Sequence, residues 1–282
     1  MAKTIRIGGA CAFYGDSSVA PAQLIAAGVD YIILDYLAEA TMSVLGEMRR
    51  RRPDLGFAND FTEWVWKDNL RALKETGTKV VTNAGGVNPR ACAACMAALA
   101  AEAGVSFRIA VVEGDELLER IDELSDQSEL YTGLSFPPRN TIVTANAYLG
   151  ATPIARALAL GADVVITGRV VDSALTLGAL IHEFSWTPDD YDKLSAGSLA
   201  GHVIECGAQG SGGLFTDWED VPDWAHIGYP IVECVADGSF TVCKPKGTGG
   251  LVSCAVVAEQ ILYEVGDPKP ICCPTSSAIS RR

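Results

Sequence analysis

Ala151-Thr-Pro-Ile-Ala-Arg-Ala-Leu-Ala-Leu-Gly-Ala-Asp-Val-Val-Ile-Thr-Gly-Arg-Val-Val-Asp172 decides the fold class of this chain. Residues 151–160 are rich in Ala and Leu and have the length of a helix, and residues 163–168 are a short β-branched run. With residues 141–146 as a strand before them, they predict a βαβ unit in one short span. The alternation continues towards the N-terminus, where residues 107–112, 79–83, 31–35 and 4–8 are further apolar runs of strand length. Helices are expected between them: one from Pro89, one over 41–52, and one that Asp16, Ser17 and Ser18 could cap and that ends near Gly28. This alternation predicts an α/β fold with a mainly parallel sheet flanked by helices. From about residue 214 the texture changes. Residues 231–235, Asp237-Gly238 and residues 240–244 predict a small antiparallel β-hairpin, because Asp-Gly accepts the positive φ of a tight turn. A last helix is expected over 251–265.

The 282 residues are 49% apolar and 20% charged, which suits a globular domain with a sizeable core. Acidic residues outnumber basic ones 35 to 22, for a net charge of −13. Such a surface repels a phosphate backbone, so no nucleic-acid partner is expected. The basic run at Arg49, Arg50, Arg51 and Arg52 reads as the solvated end of a helix stopped by Pro53. The N-terminus lacks the apolar segment of a signal peptide, and no apolar run is long enough to cross a bilayer. A cytoplasmic protein without a membrane partner is therefore expected. The nine cysteines are odd in number and scattered, as reduced thiols would be. Cys92 and Cys95 form a lone CxxC in an Ala-rich helical stretch and read as small core residues rather than a zinc site.

Ligands of open parallel sheets bind beyond the carboxyl ends of the strands. Here those ends read Gly8-Gly9, Asp35, Asn83-Ala84-Gly85-Gly86 with Asn88 beyond, Asn146, and Thr167-Gly168-Arg169. Several polar or glycine exits on one rim suggest a shared pocket, although Asn and Gly also simply turn a chain. Arg169 and Asp172 lie where a strand meets a helix. They are an ion pair at a helix start, or Arg169 grips an anion while Asp172 serves as base or metal ligand. Asp35 and Glu39, four apart, share a face if their helix starts early. They then form a repelling pair suited to acid/base work or a divalent metal, or a cap. His202 and Glu205 share a helical face next to the glycine-rich 207–213 segment. Lys244, Gly247, Thr248, Gly249 and Gly250 could make an anion nest or a plain turn. Neither a Walker loop nor a dinucleotide fingerprint is present.

In this order the constellations resemble the acyclic terpene utilisation (AtuA) family, from Ile5 to about Pro268. The carrying stretches are Ile5-Arg-Ile-Gly-Gly9 with Tyr14-Gly15-Asp16, Asp35-Tyr-Leu-Ala-Glu-Ala-Thr-Met42, and Thr82-Asn-Ala-Gly-Gly-Val-Asn-Pro89. They continue with Ala145-Asn-Ala-Tyr-Leu-Gly150, Thr167-Gly-Arg-Val-Val-Asp172 and Ala200-Gly-His-Val-Ile-Glu-Cys-Gly-Ala-Gln209. Gly228-Tyr-Pro230, residues 244–250 and Glu259-Gln-Ile-Leu-Tyr-Glu264 complete them. The resemblance implies a role in catabolism of acyclic terpenes such as citronellol and geraniol, through CoA thioesters and their carboxylated derivatives. An enzyme with lyase- or hydratase-type chemistry is expected, with a CoA thioester as substrate and a divalent metal as a candidate cofactor. The alternative is a non-catalytic subunit that binds an acyl-CoA or organises partners, and a homo-oligomer or a partner subunit fits either reading. The resemblance brings no catalytic assignment, so these roles rest on the residues. After Pro268 the sequence departs from the family pattern. Residues 1–268 are expected to form the α/β domain, and residues 269–282 a divergent, disordered tail of a truncated member.

Overall fold

Apolar side chains that alternate between the two faces build the sheet. In a computed structural model describing residues 3–265, 270–273 and 276–279, five strands run parallel. They are β1 (Thr4–Gly9), β2 (Tyr31–Leu34), β3 (Lys79–Thr82), β4 (Ile109–Val112) and β5 (Val164–Thr167), in the order β4-β5-β3-β2-β1. Side chains of period two divide between two cores: Ile32 and Leu34 face one, Tyr31 and Ile33 the other. The first core is covered by α1 (Ala20–Ala26), α2 (Glu39–Arg51), α3 (Lys67–Thr76) and α4 (Pro89–Glu102), through Leu24, Leu45, Leu70 and Met96. The second is covered by α5 (Thr152–Ala159), α6 (Ala174–Phe184) and α7 (Tyr191–Ile204), through Ile154, Leu175 and Leu194. Handedness explains the side taken by α5. The chain steps outward from β1 to β4 and then back to β5, and a right-handed crossover that reverses direction lays its helix on the opposite face.

The expected hairpin is β6 (Ile231–Val235) and β7 (Phe240–Cys243), turning at Gly238 with φ 94°. β6 pairs antiparallel with β1, so the hairpin extends the main sheet and covers the free edge of β1. The last helix, α8 (Cys254–Glu264), starts where the Ser253 hydroxyl accepts the Val256 amide at 3.2 Å.

Several expectations are corrected. Residues 141–146 form no strand: a 3-10 turn, Arg139–Thr141, leads into irregular chain. The position beside β3 and β4 belongs to β5, and Val143 and Thr144 instead pack on Gly46 of α2, leaving no room there for a Cβ. Asp16 does not cap α1, since its carboxylate accepts the Ala12 amide at 2.9 Å, and Ser17 accepts that of Val19 at 3.1 Å. The arginine run behaves as read, with Arg50 and Arg51 paired to Glu47 and Arg52 to Asp54. Cys92 is buried in the first core, on α4. Within the expected tail, β8 (Pro270–Cys273) pairs antiparallel with β9 (Ser276–Ile279), and the rest of residues 266–282, with the expectation of disorder placed on it, lies outside the described residues.

Candidate functional site at the carboxyl ends of the strands

The parallel strands deliver their exits to one rim. Asp35 follows β2, Asn83 follows β3, Arg169 lies just past β5, and Asp115 lies beyond β4. Asp35 is only 6% exposed. Its Oδ1 accepts the Asn83 side-chain amide at 2.6 Å and the Leu37 backbone amide at 3.1 Å. Its Oδ2 is buried with no hydrogen-bond partner. Burial, and then the negative charge of Asp172, push the Asp35 carboxyl up to about 7, against the opposing pull of Asn83 and Arg169. Asn83 is held in turn, because its Oδ1 accepts the Tyr36 amide at 2.7 Å.

Arg169 is a buried cation, 4% exposed. Its Nη1 donates to the Leu37 carbonyl, and its guanidinium stacks over the Tyr148 ring at 4.3 Å. Nη2 lies 3.2 Å from Asp172 Oδ1, an ionic contact without an aligned hydrogen bond. It lies 3.8 Å from Glu39 Oε1. The Glu39 side chain is 80% exposed and accepts the Tyr148 hydroxyl at 2.7 Å, and that bond holds its pKa below the usual value. Asp35 and Glu39 do not share a helical face, because α2 begins at Glu39 and leaves Asp35 in the strand exit. The carboxylate that faces Asp35 electrostatically is Asp172, itself raised mainly by burial.

On α7 the three-residue spacing puts His202 Nδ1 2.8 Å from Glu205 Oε1. Glu205 is 4% exposed, its Oε2 has no partner, and burial with the nearby Glu264 holds its proton well above the ordinary range. Its position at the C-terminal end of α7 opposes ionisation further. Burial lowers the His202 pKa, against the pull of Glu264 and Asp172. Asp35 and Asp172 both act on Glu205, so the His202 group and the Asp35 group belong to one electrostatic neighbourhood. Two glycines make this possible. A Cβ on Gly9 would sit 1.9 Å from the Ile204 carbonyl oxygen, and one on Gly201 would sit 2.8 Å from Ser173 Cα.

A model of the acyclic terpene utilisation family protein AtuA matches residues 5–279. The chain belongs to this family. Membership ties the AtuA-family chain to acyclic terpene utilisation, and the matched residues run past Pro268, where the sequence reading placed the divergence. Comparison with curated proteins and with solved structures returned no significant match. Among the described residues, no helix is long and apolar enough to cross a membrane.

Other expected ligand groups in this AtuA-family chain have structural work. Gly8 gives room to the Leu24 side chain, and Gly85 lets its turn pass the Thr167 carbonyl. Gly86 turns the chain with φ 55°. Asn88 caps α4 at Ala91 and donates to the carbonyls of Pro53 and Leu55 at 2.9 and 2.8 Å. A hollow of 160 Å³ lies there, but its Arg49 and Arg90 already pair with Glu116 and Glu113. The 244–250 segment is built as a clasp. Gly249 and Gly250 amides donate to the His226 and Pro222 carbonyls at 2.7 and 2.8 Å, and Lys244 Nζ caps the Thr248 carbonyl at 2.7 Å. The segment also lies apart from a helix start, because α8 begins at Cys254.

Two residues were missed. Asp115 is buried and takes the Arg169 amide and the Asn146 side-chain amide on Oδ2, each at 2.8 Å, which fixes the β5 exit. Its signal was available, as a carboxylate just beyond an apolar strand. Glu264 ends α8, and its Oε1 accepts the Cys206 thiol at 3.0 Å and the Gln260 amide at 3.1 Å. No local pattern announces that meeting.

Proposed function

We propose that this chain is a catabolic enzyme that transfers a proton at the carbon next to a carbonyl in a branched acyl substrate, a carboxylic acid or its CoA thioester. Asp35 moves the proton, and Arg169 stabilises the negative charge that develops on the carbonyl oxygen. The observation that carries this reading is the Asp35 carboxyl, buried at a strand exit with one oxygen unpartnered and a cation beside the pair it forms with Asp172. At neutral pH such a group costs the fold stability, and perturbed carboxyls in strand-end positions concentrate at working sites. The enolate-like species so formed suits both a lyase and a hydratase, which differ in what leaves the neighbouring carbon. Glu39, exposed and at the outer edge of the Arg169 contacts, is the group that an anionic substrate would displace. Family membership supports the branched, terpene-derived substrate class.

The test is hydrogen exchange in heavy water. Wild-type protein with a panel of branched acyl-CoAs and their free acids should wash deuterium into the carbon next to the carbonyl of at least one of them. Asp35→Asn should bind the same compound and lose the exchange by a factor of about 100 or more. Full exchange by Asp35→Asn would remove the residue from the chemistry.

One feature favours the second reading, a non-catalytic acyl-CoA-binding or partner-organising subunit. Leu130, Tyr131 and Leu134 are exposed together on a turn whose ends meet at Ser128 and Ser135. That reading predicts binding with no exchange on any member of the panel.

A further inference from the structure

We propose that His202, Glu205 and Glu264 form a binding site for a divalent first-row transition-metal ion. It adds a ligand to the acid/base reading above but is measured by occupancy, without turnover. The three residues come from two helices. The last turn of α7 presents His202, Glu205 caps that helix three residues on, and α8 brings Glu264 beside them. Each contributes one donor atom, an imidazole nitrogen or a carboxylate oxygen, and the three atoms lie within 4.8 Å of one another.

Charge and satisfaction point the same way. Glu205 is buried, and its Oε2 has no hydrogen-bond partner. A buried polar atom left without a partner is costly unless something fills its place. Two carboxylates at this separation repel, and among the described residues neither Glu205 nor Glu264 pairs with a lysine or arginine. The nearby cation, Arg169, is already engaged by Asp172, Glu39 and the Leu37 carbonyl.

The surroundings hold the donors as a metal site needs. Gln260 is buried, and its amide donates both to Glu264 Oε1 and to the His202 carbonyl, each at 3.1 Å. It therefore ties α8 to α7 at the point where the donors meet. The Cys206 thiol also donates to Glu264 Oε1. Groups of this kind orient metal-binding side chains. One imidazole and two carboxylates match zinc, manganese, iron(II) or cobalt(II) better than calcium or magnesium, which prefer oxygen alone. Three protein donors leave coordination positions open, so a substrate carbonyl or carboxylate could reach the ion.

The full chain, stripped with a chelator, would be equilibrated with zinc or cobalt(II), desalted and assayed for bound metal by mass spectrometry. The expected result is about one ion per chain, with visible absorption bands from cobalt(II). His202→Asn and Glu264→Gln should each weaken binding by a factor of about ten or more. Circular dichroism of the metal-free variants confirms that they remain folded, and Glu264→Gln suits this because its side chain is only half-buried. Metal occupancy is read without substrate and deuterium exchange is read with it, so the two readings can fail separately. Substoichiometric metal in the wild type, or unchanged affinity in both folded variants, would overturn the site and leave Glu205 holding a proton instead.

Discussion

Asp35, Asn83 and Arg169 set the balance at the residue scale. The Asp35 carboxyl, ordinarily near 3.8, is held at about 7 in the folded chain, chiefly by burial. The folded state therefore holds a proton that the unfolded state has lost between those values. Stability contributed by this group is present below about 4 and falls as pH rises to about 7, a loss on the order of 4 kcal/mol. Asp35→Asn is neutral and nearly the same shape, so it should raise the melting temperature at pH 8 and do little at pH 4. Melting curves at the two pH values check this, and equal shifts at both would contradict it. Asn83→Ala strips partners from both Asp35 and the buried Tyr36 amide, and should cost about 2–4 kcal/mol in denaturant unfolding. Asp35 and Arg169 were legible as strand exits carrying charge. The partnership of Asp35 with Asp172 was not, because residues 35 and 172 meet only once β2 and β5 are placed in the same sheet.

Helices fix the relation between the two halves of the site. The C-terminal end of α7 rests against β1 at Gly9 and against the start of α6 at Gly201. Gly201→Ala places a Cβ 2.8 Å from the Ser173 backbone and must push α7 away. We predict a loss of about 1–3 kcal/mol in stability, with zinc affinity reduced as His202 and Glu205 move. Unchanged zinc affinity in folded Gly201→Ala would show that α7 does not position these donors. The His202 and Glu205 pair was legible because a helical period alone brings residues three apart together. Glu264 was not, since it reaches them through the packing of α8 on α7. The bonding of 244–250 was hidden for the same reason: two of its amides are taken by carbonyls of Pro222 and His226, in a segment the loop's own sequence does not reveal. At 141–146 the β-branched residues suggested a strand, yet they cover Gly46 of α2.

Across the whole molecule, the alternation of strands and helices made the parallel sheet legible. The strand order required the handedness of the crossovers, and the docking of β6 on β1 required the sheet edge itself. That architecture gathers Asp35, Asn83, Asp115 and Arg169 on one rim, with the α7 and α8 carboxylates beside them. The central claim is that this rim does proton chemistry through Asp35. Its most direct test is the pH profile of deuterium exchange into the responding acyl substrate, measured for wild type and Asp35→Asn. The account predicts a rate that rises with pH to a plateau, with an apparent midpoint near about 7, and that is lost in Asp35→Asn. A wild-type profile that is flat from pH 5 to 9, or one that persists unchanged in Asp35→Asn, would contradict it.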